Sequence, residues 1–481
     1  MLTPGTNCWR IETATRASVI VDAADYFTAA RAAMRKARHR IMLIGWDFDT
    51  RIRLTDSPTE PDQPTVGDFI WSLVEANENL EIFLLRWDLG ALKLLSRGST
   101  TLTLLKWMTH PRIHTKLDGS HPTGASHHQK ICVIDDCMAF CGGIDMTGGR
   151  WDTRQHLDND PGRVGPDGTP CPPWHDATSA LQGPVAAALG EVCRDRWQRA
   201  GCDPLEPVTG ARDCWPDDLA VDFENVEVAI ARSEPAMPGH DAVLEIERLY
   251  LDQIASARRF IYAESQYFAS RRIAEAIARR LDEDDGPEIV VINPLTAEGW
   301  LEPIAMDTAR ARLFETLRRR DKHGRLRLYH PYTAGGVPIY VHAKILVIDD
   351  DVLRVGSSNI NNRSLRLDTE CDIAIHAAQG DNRARVAAIR NIRNGLIAEH
   401  VDATPDEVAA AIERTGSMIA AIEELRSARN RLCPYEIPDV DAVSSWLADN
   451  EVLDPEGPDE MFEAVTDRGL FRSGLFWRHA S

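Results

Sequence analysis

Three things are scarce in this chain, and each scarcity closes off a class of protein. No uncharged stretch approaches a membrane span, and Met1 to Cys8 lack the basic segment and apolar run of a secretory signal, so a protein that stays inside the cell is expected. Positive charge is short. With 54 Lys and Arg against 74 Asp and Glu, the formal net charge is −20, which repels a polyanion at long range, although a local basic site can still hold one phosphate. Paired cysteines are absent: ten are dispersed without a CxxC motif, so free thiols are expected rather than a disulfide framework or zinc. What remains is ordinary globular material, 43% hydrophobic and 27% charged over 481 residues, enough for about two to four domain-sized units.

One pattern stands out of that background because it occurs twice. His128-Gln129-Lys130 runs on to Asp135, and His342-Ala343-Lys344 runs on to Asp349, each a His-x-Lys-x4-Asp box. Each is followed by a small-residue corner with a polar end, Gly142-Gly143-Ile144-Asp145 and Gly356-Ser357-Ser358-Asn359. Boxes and corners share one offset of 214 residues (342 − 128 and 356 − 142). A single box arises by chance in roughly a few per cent of chains this long. Two with matching corners indicate a duplicated half-site.

The duplication extends upstream. Ala30 to Arg40 and Leu244 to Arg259 read as helices, each leading into an apolar strand, Ile41 to Trp46 and Phe260 to Ala263; second strands follow at Ile82 to Leu85 and Ile289 to Ile292. Short apolar runs alternating with helical segments predict buried strands in an α/β sheet covered by helices. The expected organisation is a first half over 1–203, a Pro- and Gly-rich connecting segment over 204–240, a second half over 241–400 and a helical, peripheral C-terminal extension over 401–481. Residues 157–174, rich in Pro, Gly and Asp, are a candidate rim loop. Arg318-Arg319-Arg320 suits a helix C-terminus.

In a strand, residues two apart share a face, so His128 projects with Lys130 and His342 with Lys344. If the halves pack about a pseudo-twofold axis, two imidazoles and two ammonium groups converge on one pocket, a composition that suits a phosphodiester. The lysines would hold non-bridging oxygens and stabilise the pentacoordinate transition state, with no metal and no cofactor required. One imidazole would attack phosphorus while the other protonates the leaving alkoxide and then activates water or an alcohol. Ser357, Asn359 and Asp145 are candidates to orient phosphate or the lysines, Asp145 through a cation because an ionised carboxylate donates nothing. Asp152 and Glu370 are candidate acceptors for the far nitrogen of a reactive histidine. Asp135 and Asp349 precede turns, where a structural role is expected.

These residues resemble the phospholipase D superfamily, whose signature is the same doubled box with a Gly-Ser-x-Asn or Gly-Gly-x-Asp corner. Further segments, among them Gly148 to Asp152, Pro173 to Asp176 and Glu264 to Phe268, are similar to those of true lipid-cleaving phospholipases D. The resemblance implies a bilobal unit of two similar α/β/α halves with mixed sheets and the active site at their interface. It implies cleavage of glycerophospholipids to phosphatidic acid and an alcohol, with transphosphatidylation, and places the nucleophile on His128 and the acid/base on His342, an order the residues themselves leave open. A phospholipid substrate, peripheral membrane contact and a cytoplasmic monomer are expected, with Trp107-Met108 and Trp300-Leu301 as loop residues able to enter the interface. A cardiolipin synthase-type phosphatidyltransferase is the alternative. A nuclease or a phosphate-binding module without turnover ranks lower, since the acidic balance argues against a nucleic-acid partner.

Overall fold

The computed structural model describes residues 2–58, 63–88, 98–210, 212–297, 306–377, 382–429, 431–438 and 454. Its frame is a sixteen-stranded mixed sheet that runs through both halves of the chain. At the centre Arg10–Val21 pairs antiparallel with Phe223–Glu234. Outward on one side lie Ala177–Gln182, Met138–Gly142, Ile131–Ile134, Arg40–Gly45, Glu81–Trp87 and Ile113–Asp118. On the other side the same order recurs as Glu370–His376, Val352–Gly356, Ile345–Ile348, Phe260–Glu264, Glu288–Ile292 and Leu326–Pro331. The strand order therefore reads identically outward from the central pair, as a pseudo-twofold through that pair requires.

The box strands Ile131–Ile134 and Ile345–Ile348 are buried at all four positions and lie inside their sheets, which explains their continuous rather than alternating hydrophobicity. Helices cover the faces. Ala23–Arg35 and Val66–Ala76 pack their buried sides on one half, and Glu245–Ser256 and Arg271–Leu281 on the other. Arg318, Arg319 and Arg320 close the helix Thr308–Arg320 as its basic last turn.

Three sequence expectations need correction. The segment 204–240 is more than a connector, because it contains the central strand Phe223–Glu234, which starts 213 residues after its counterpart Arg10–Val21 (223 − 10). Its Pro and Gly residues flank that strand and masked it in composition. The C-terminal extension is not wholly helical or peripheral: after the helices Pro405–Thr415 and Met418–Arg429, Leu432–Pro434 adds an antiparallel edge strand to Leu326–Pro331. Val408, Ile412, Ile419 and Ile422 are buried in the shared core. Finally, Trp107 sits on the helix Gly98–Met108, not on a loop, and is buried, while Met108 beside it is 66% exposed. Trp300 and Leu301 lie outside the described residues.

The box aspartates act on the frame. Asp135 accepts the backbone N–H groups of Arg38, His39 and Arg40 at 2.7 to 2.8 Å, and Asp349 those of Arg258, Arg259 and Phe260 at 2.7 to 3.0 Å. Each carboxylate thus ties the end of its hairpin strand to the start of the neighbouring antiparallel strand. Asp135→Ala or Asp349→Ala leaves three such groups without their charged acceptor, and is expected to lower stability by about 2–4 kcal/mol. A chemical-denaturation midpoint unchanged from wild type would contradict this role.

Candidate active site

Each His-x-Lys tripeptide lies in extended backbone just before its strand rather than inside it, and each is held there by the opposite half. The His128 N–H donates to the Thr369 carbonyl at 2.9 Å, and the His342 N–H to the His175 carbonyl at 2.7 Å. The short strand Trp174–His175 pairs in parallel with Tyr340–Val341, so the loop over 157–174 ends as part of the site wall. These crossings bring the two imidazoles together, with ring centroids 6.4 Å apart and planes inclined at 62°.

The side chains repeat the exchange. His128 Nδ1 lies 2.9 Å from Glu370 Oε1, a residue of the second half, and His342 Nδ1 lies 2.6 Å from Asp176 Oδ2, a residue of the first. Both contacts occupy Nδ1 and leave Nε2 as the nitrogen available for chemistry. Burial, reinforced by Lys130 and Lys344, holds His128 well below the usual imidazole range. His342 is held low by burial with Lys344, Arg150 and Lys130 beside it. Both rings are therefore neutral at pH 7 in the absence of an anion. Burial also pushes Glu370 up to about 8, against the opposing pull of Lys130, and raises Asp176.

The cations line the same space. Lys130 Nζ donates to the His128 carbonyl at 2.8 Å and lies 3.2 Å from Asp145 Oδ2. Lys344 Nζ donates to the His342 carbonyl and reaches Gln266 Oε1 at 3.5 Å, which also accepts from Asn359 Nδ2 at 3.3 Å. Burial lowers Lys344 to about 7, with nearby Asp176 opposing and Lys130 adding. Arg150 supplies a further cation, stacked 3.8 Å above the Trp174 ring, and Trp174 in turn stacks 4.6 Å from Tyr340. An anion entering this pocket meets three cations that are already partly desolvated, which strengthens its electrostatic hold.

Several candidates behave differently from their sequence reading. Asp152 is not an acceptor for a reactive histidine; it bonds His156 Nδ1, Arg163 and the Trp174 N–H. The acceptor at His342 is Asp176, which the sequence pattern alone did not single out. Ser357 does not face an incoming phosphate but donates to Glu370 and so fixes the support of His128. Asp145 takes the Lys130 ion pair and the Trp46 N–H. Gly143 replaces Ser357 in the first corner for a steric reason: a Cβ there would overlap Asp176 Oδ1.

Comparison with known proteins agrees with this architecture. A family model described as Phospholipase D matches residues 33–243, and one described as Cardiolipin synthase, PLD-like domain, matches residues 250–388. The chain belongs to the phospholipase D superfamily. Phospholipase D alpha 1 of Carica papaya is 24% identical over 516 residues, which cover 78% of this chain and 63% of the papaya protein. Phospholipase D A of Dictyostelium discoideum is 24% identical over 74% of this chain and 32% of its own length. The chain therefore spans less than two thirds of either relative. Phosphatidylserine synthase of Haemophilus influenzae shares the fold, with a TM-score of 0.56, 14% identity and coverage of 86% of this chain and 95% of that one. Within the superfamily, this protein repeats the half-site unevenly: the corner-to-acceptor spacing is longer in the first half, where the loop over 157–174 intervenes.

The position of Lys344 predicts a pH dependence. It is protonated below about 7, and the low-lying histidines gain charge further down, so every change favours an anion as pH falls. Binding of tungstate, a phosphate-shaped dianion, is expected to weaken above pH 7 by up to about ten-fold per unit. Affinity that stays level from pH 6 to 9 in calorimetric titrations would contradict the assignment.

Proposed function

We propose that this protein is a phospholipase D, which cleaves the distal phosphodiester of glycerophospholipids to phosphatidic acid and an alcohol, and transfers the phosphatidyl group when an alcohol replaces water. The observation that carries this reading is the crosswise pair, His128 on Glu370 and His342 on Asp176, facing each other across 6.4 Å with Lys130 and Lys344 alongside. The halves over 1–203 and 241–400, the second joined by Phe223–Glu234, act as one catalytic unit.

In the first step Nε2 of His128 attacks phosphorus and the P–O bond to the headgroup breaks. His342, protonated through Nε2 once the anionic phosphate raises its basicity, gives that proton to the departing alkoxide. In the second step neutral His342 takes a proton from water or alcohol, whose oxygen attacks the phosphohistidine and returns His128 to its starting state. Lys130 and Lys344 neutralise the oxygens that gain charge in both steps. His128 takes the nucleophile's role because its ring is the more open of the two, with 16% of its side chain exposed against 8% for His342. No metal or cofactor takes part in this scheme.

Membrane contact has support in exposed apolar side chains on the two loops that feed the site. Leu157 is 57% exposed and Val337 45%, and Asp158 joins their loops by accepting the Gly335 N–H at 2.6 Å. Leu102 and Leu105 add a further exposed apolar strip on the helix Gly98–Met108. Among the described residues no helix is long and apolar enough to cross a membrane, so contact with lipid is peripheral in this reading. We take the protein as a cytoplasmic monomer and, given its charge of −20, not as a nuclease.

A phosphatidyltransferase of the cardiolipin synthase type is the second reading, favoured by the description of the family model over 250–388. It shares the phosphohistidine and differs in taking a lipid alcohol as acceptor. Vesicles of phosphatidylcholine, phosphatidylethanolamine or phosphatidylglycerol, with and without ethanol, separate the two by mass spectrometry of the products. Phosphatidic acid without ethanol and phosphatidylethanol with it are expected; diphosphatidyl product from phosphatidylglycerol alone would favour the transferase, and no turnover of any lipid would defeat both. His128→Ala and His342→Ala are each expected to lower turnover by about 10³ or more, and Glu370→Gln or Asp176→Asn by about 10–100 fold.

A further inference from the structure

Behind Asp176, away from the reacting imidazoles, lies a cluster of ionisable groups that the proposed reaction does not use. Asp22, His156, His175 and Glu399 are each at most 2% exposed at the side chain. One ligand atom from each, an imidazole nitrogen or a carboxylate oxygen, falls within 4.8 Å of all the others. His156 Nε2 lies 3.6 Å from Asp22 Oδ2 and 3.1 Å from Glu399 Oε1. His175 Nδ1 lies 3.3 Å from Asp22 Oδ1 and 2.7 Å from the same Glu399 oxygen. Donors around a tetrahedral ion with bonds of about 2.0–2.1 Å stand roughly 3.3 Å apart.

Hydrogen bonds and ion pairs account for part of this arrangement, since Glu399 Oε1 is shared by His156 Nε2 and His175 Nδ1. Asp22 Oδ2 is left over: it is fully buried and takes part in no hydrogen bond. The outward sides of the donors are satisfied: His156 Nδ1 bonds Asp152 at 2.9 Å, His175 Nε2 bonds Glu264 at 2.7 Å, and Glu399 Oε2 receives Arg154 Nε at 2.7 Å. A carboxylate on the far nitrogen of each imidazole is the support that orients a metal-bound histidine and sets its tautomer. The carboxylates of Asp22, Asp152, Glu264 and Glu399 outnumber the guanidiniums of Arg154 and Arg163 that face them, with the imidazoles of His156, His175 and His400 set among them, so protons on those rings or a bound cation must neutralise the buried cluster.

We propose that Asp22, His156, His175 and Glu399 bind one divalent transition-metal ion of the zinc class. Two imidazole nitrogens with two carboxylate oxygens suit such an ion, and do not suit magnesium or calcium, which favour oxygen ligands alone. The ion is structural. Its ligands come from the residue preceding the helix Ala23–Arg35, from the residue just before the loop over 157–174, from the strand Trp174–His175 and from the helix Arg383–Val401, so it joins both halves of the chain. His175 also precedes Asp176 and accepts the His342 N–H through its carbonyl, so the ion steadies the strand that supports His342 without touching the reacting phosphate.

The test uses the full-length protein and reads metal rather than turnover. Elemental analysis of protein purified without chelator is expected to find about one zinc-class ion per chain. After stripping with a strong chelator, titration with Co²⁺ is expected to saturate at one equivalent, with the intense visible absorption of tetrahedral cobalt and a raised melting temperature. His156→Ala and Glu399→Gln should abolish that spectrum, while His323→Ala, a surface change, should leave it intact. Wild-type protein with neither bound metal nor a cobalt spectrum would overturn the proposal, whatever the variants do, and would assign the missing charge to imidazolium protons. Lipid turnover is not among these readouts, so such a failure would leave the proposed reaction standing.

Discussion

The site depends on an exchange: each half supplies the carboxylate that holds the other half's histidine. Glu370 grips His128 and Asp176 grips His342, both through Nδ1. A buried imidazole with one nitrogen fixed has one tautomer and one orientation, and only then is its other nitrogen aimed reproducibly at a substrate atom. Neither half carries a complete unit alone. The continuous sheet through the central pair Arg10–Val21 and Phe223–Glu234 is what makes the exchange geometrically fixed.

Gathering cations in a buried pocket carries an electrostatic penalty, and the structure shows how it is met. Lys130 is paired with Asp145, whereas Lys344 relies on carbonyl and amide oxygens and is driven down to about 7. The two ammonium groups are thus unequal, one ion-paired with a carboxylate and one hydrogen-bonded only to neutral oxygens. The asymmetry follows from the corners: Asp145 ends the first and Asn359 the second. Gly143 and Ser357 extend it, the first making room for Asp176 and the second donating to Glu370.

The cluster behind Asp176 extends the same logic outward. Residues from the first half and from the helix Arg383–Val401 meet there, so the wall that carries Asp176 is anchored on both sides of the interface. Burial makes such a cluster consequential, because an uncompensated charge in a dry site destabilises it strongly. Support for the His342 imidazole therefore runs in two layers, from His342 to Asp176 and from the strand of Asp176 to this charged core.

The doubled box, its common offset of 214 residues and the apolar strands behind it were legible in the sequence, because they are local patterns. From them the α/β class, the repeat and the family resemblance could be read. Phe223–Glu234 was hidden by the Pro and Gly around it, and Asp176 by the long loop that breaks the spacing shared by the halves, so Asp152 stood in for it as a candidate. Local periodicity reports which residues enter a core, and the sequence by itself determined that much, along with the identity of the paired histidines and lysines. Which carboxylate reaches which imidazole was decided only by the tertiary structure, since those partners lie 242 and 166 residues apart in the chain and meet through sheet pairing that no local spacing encodes.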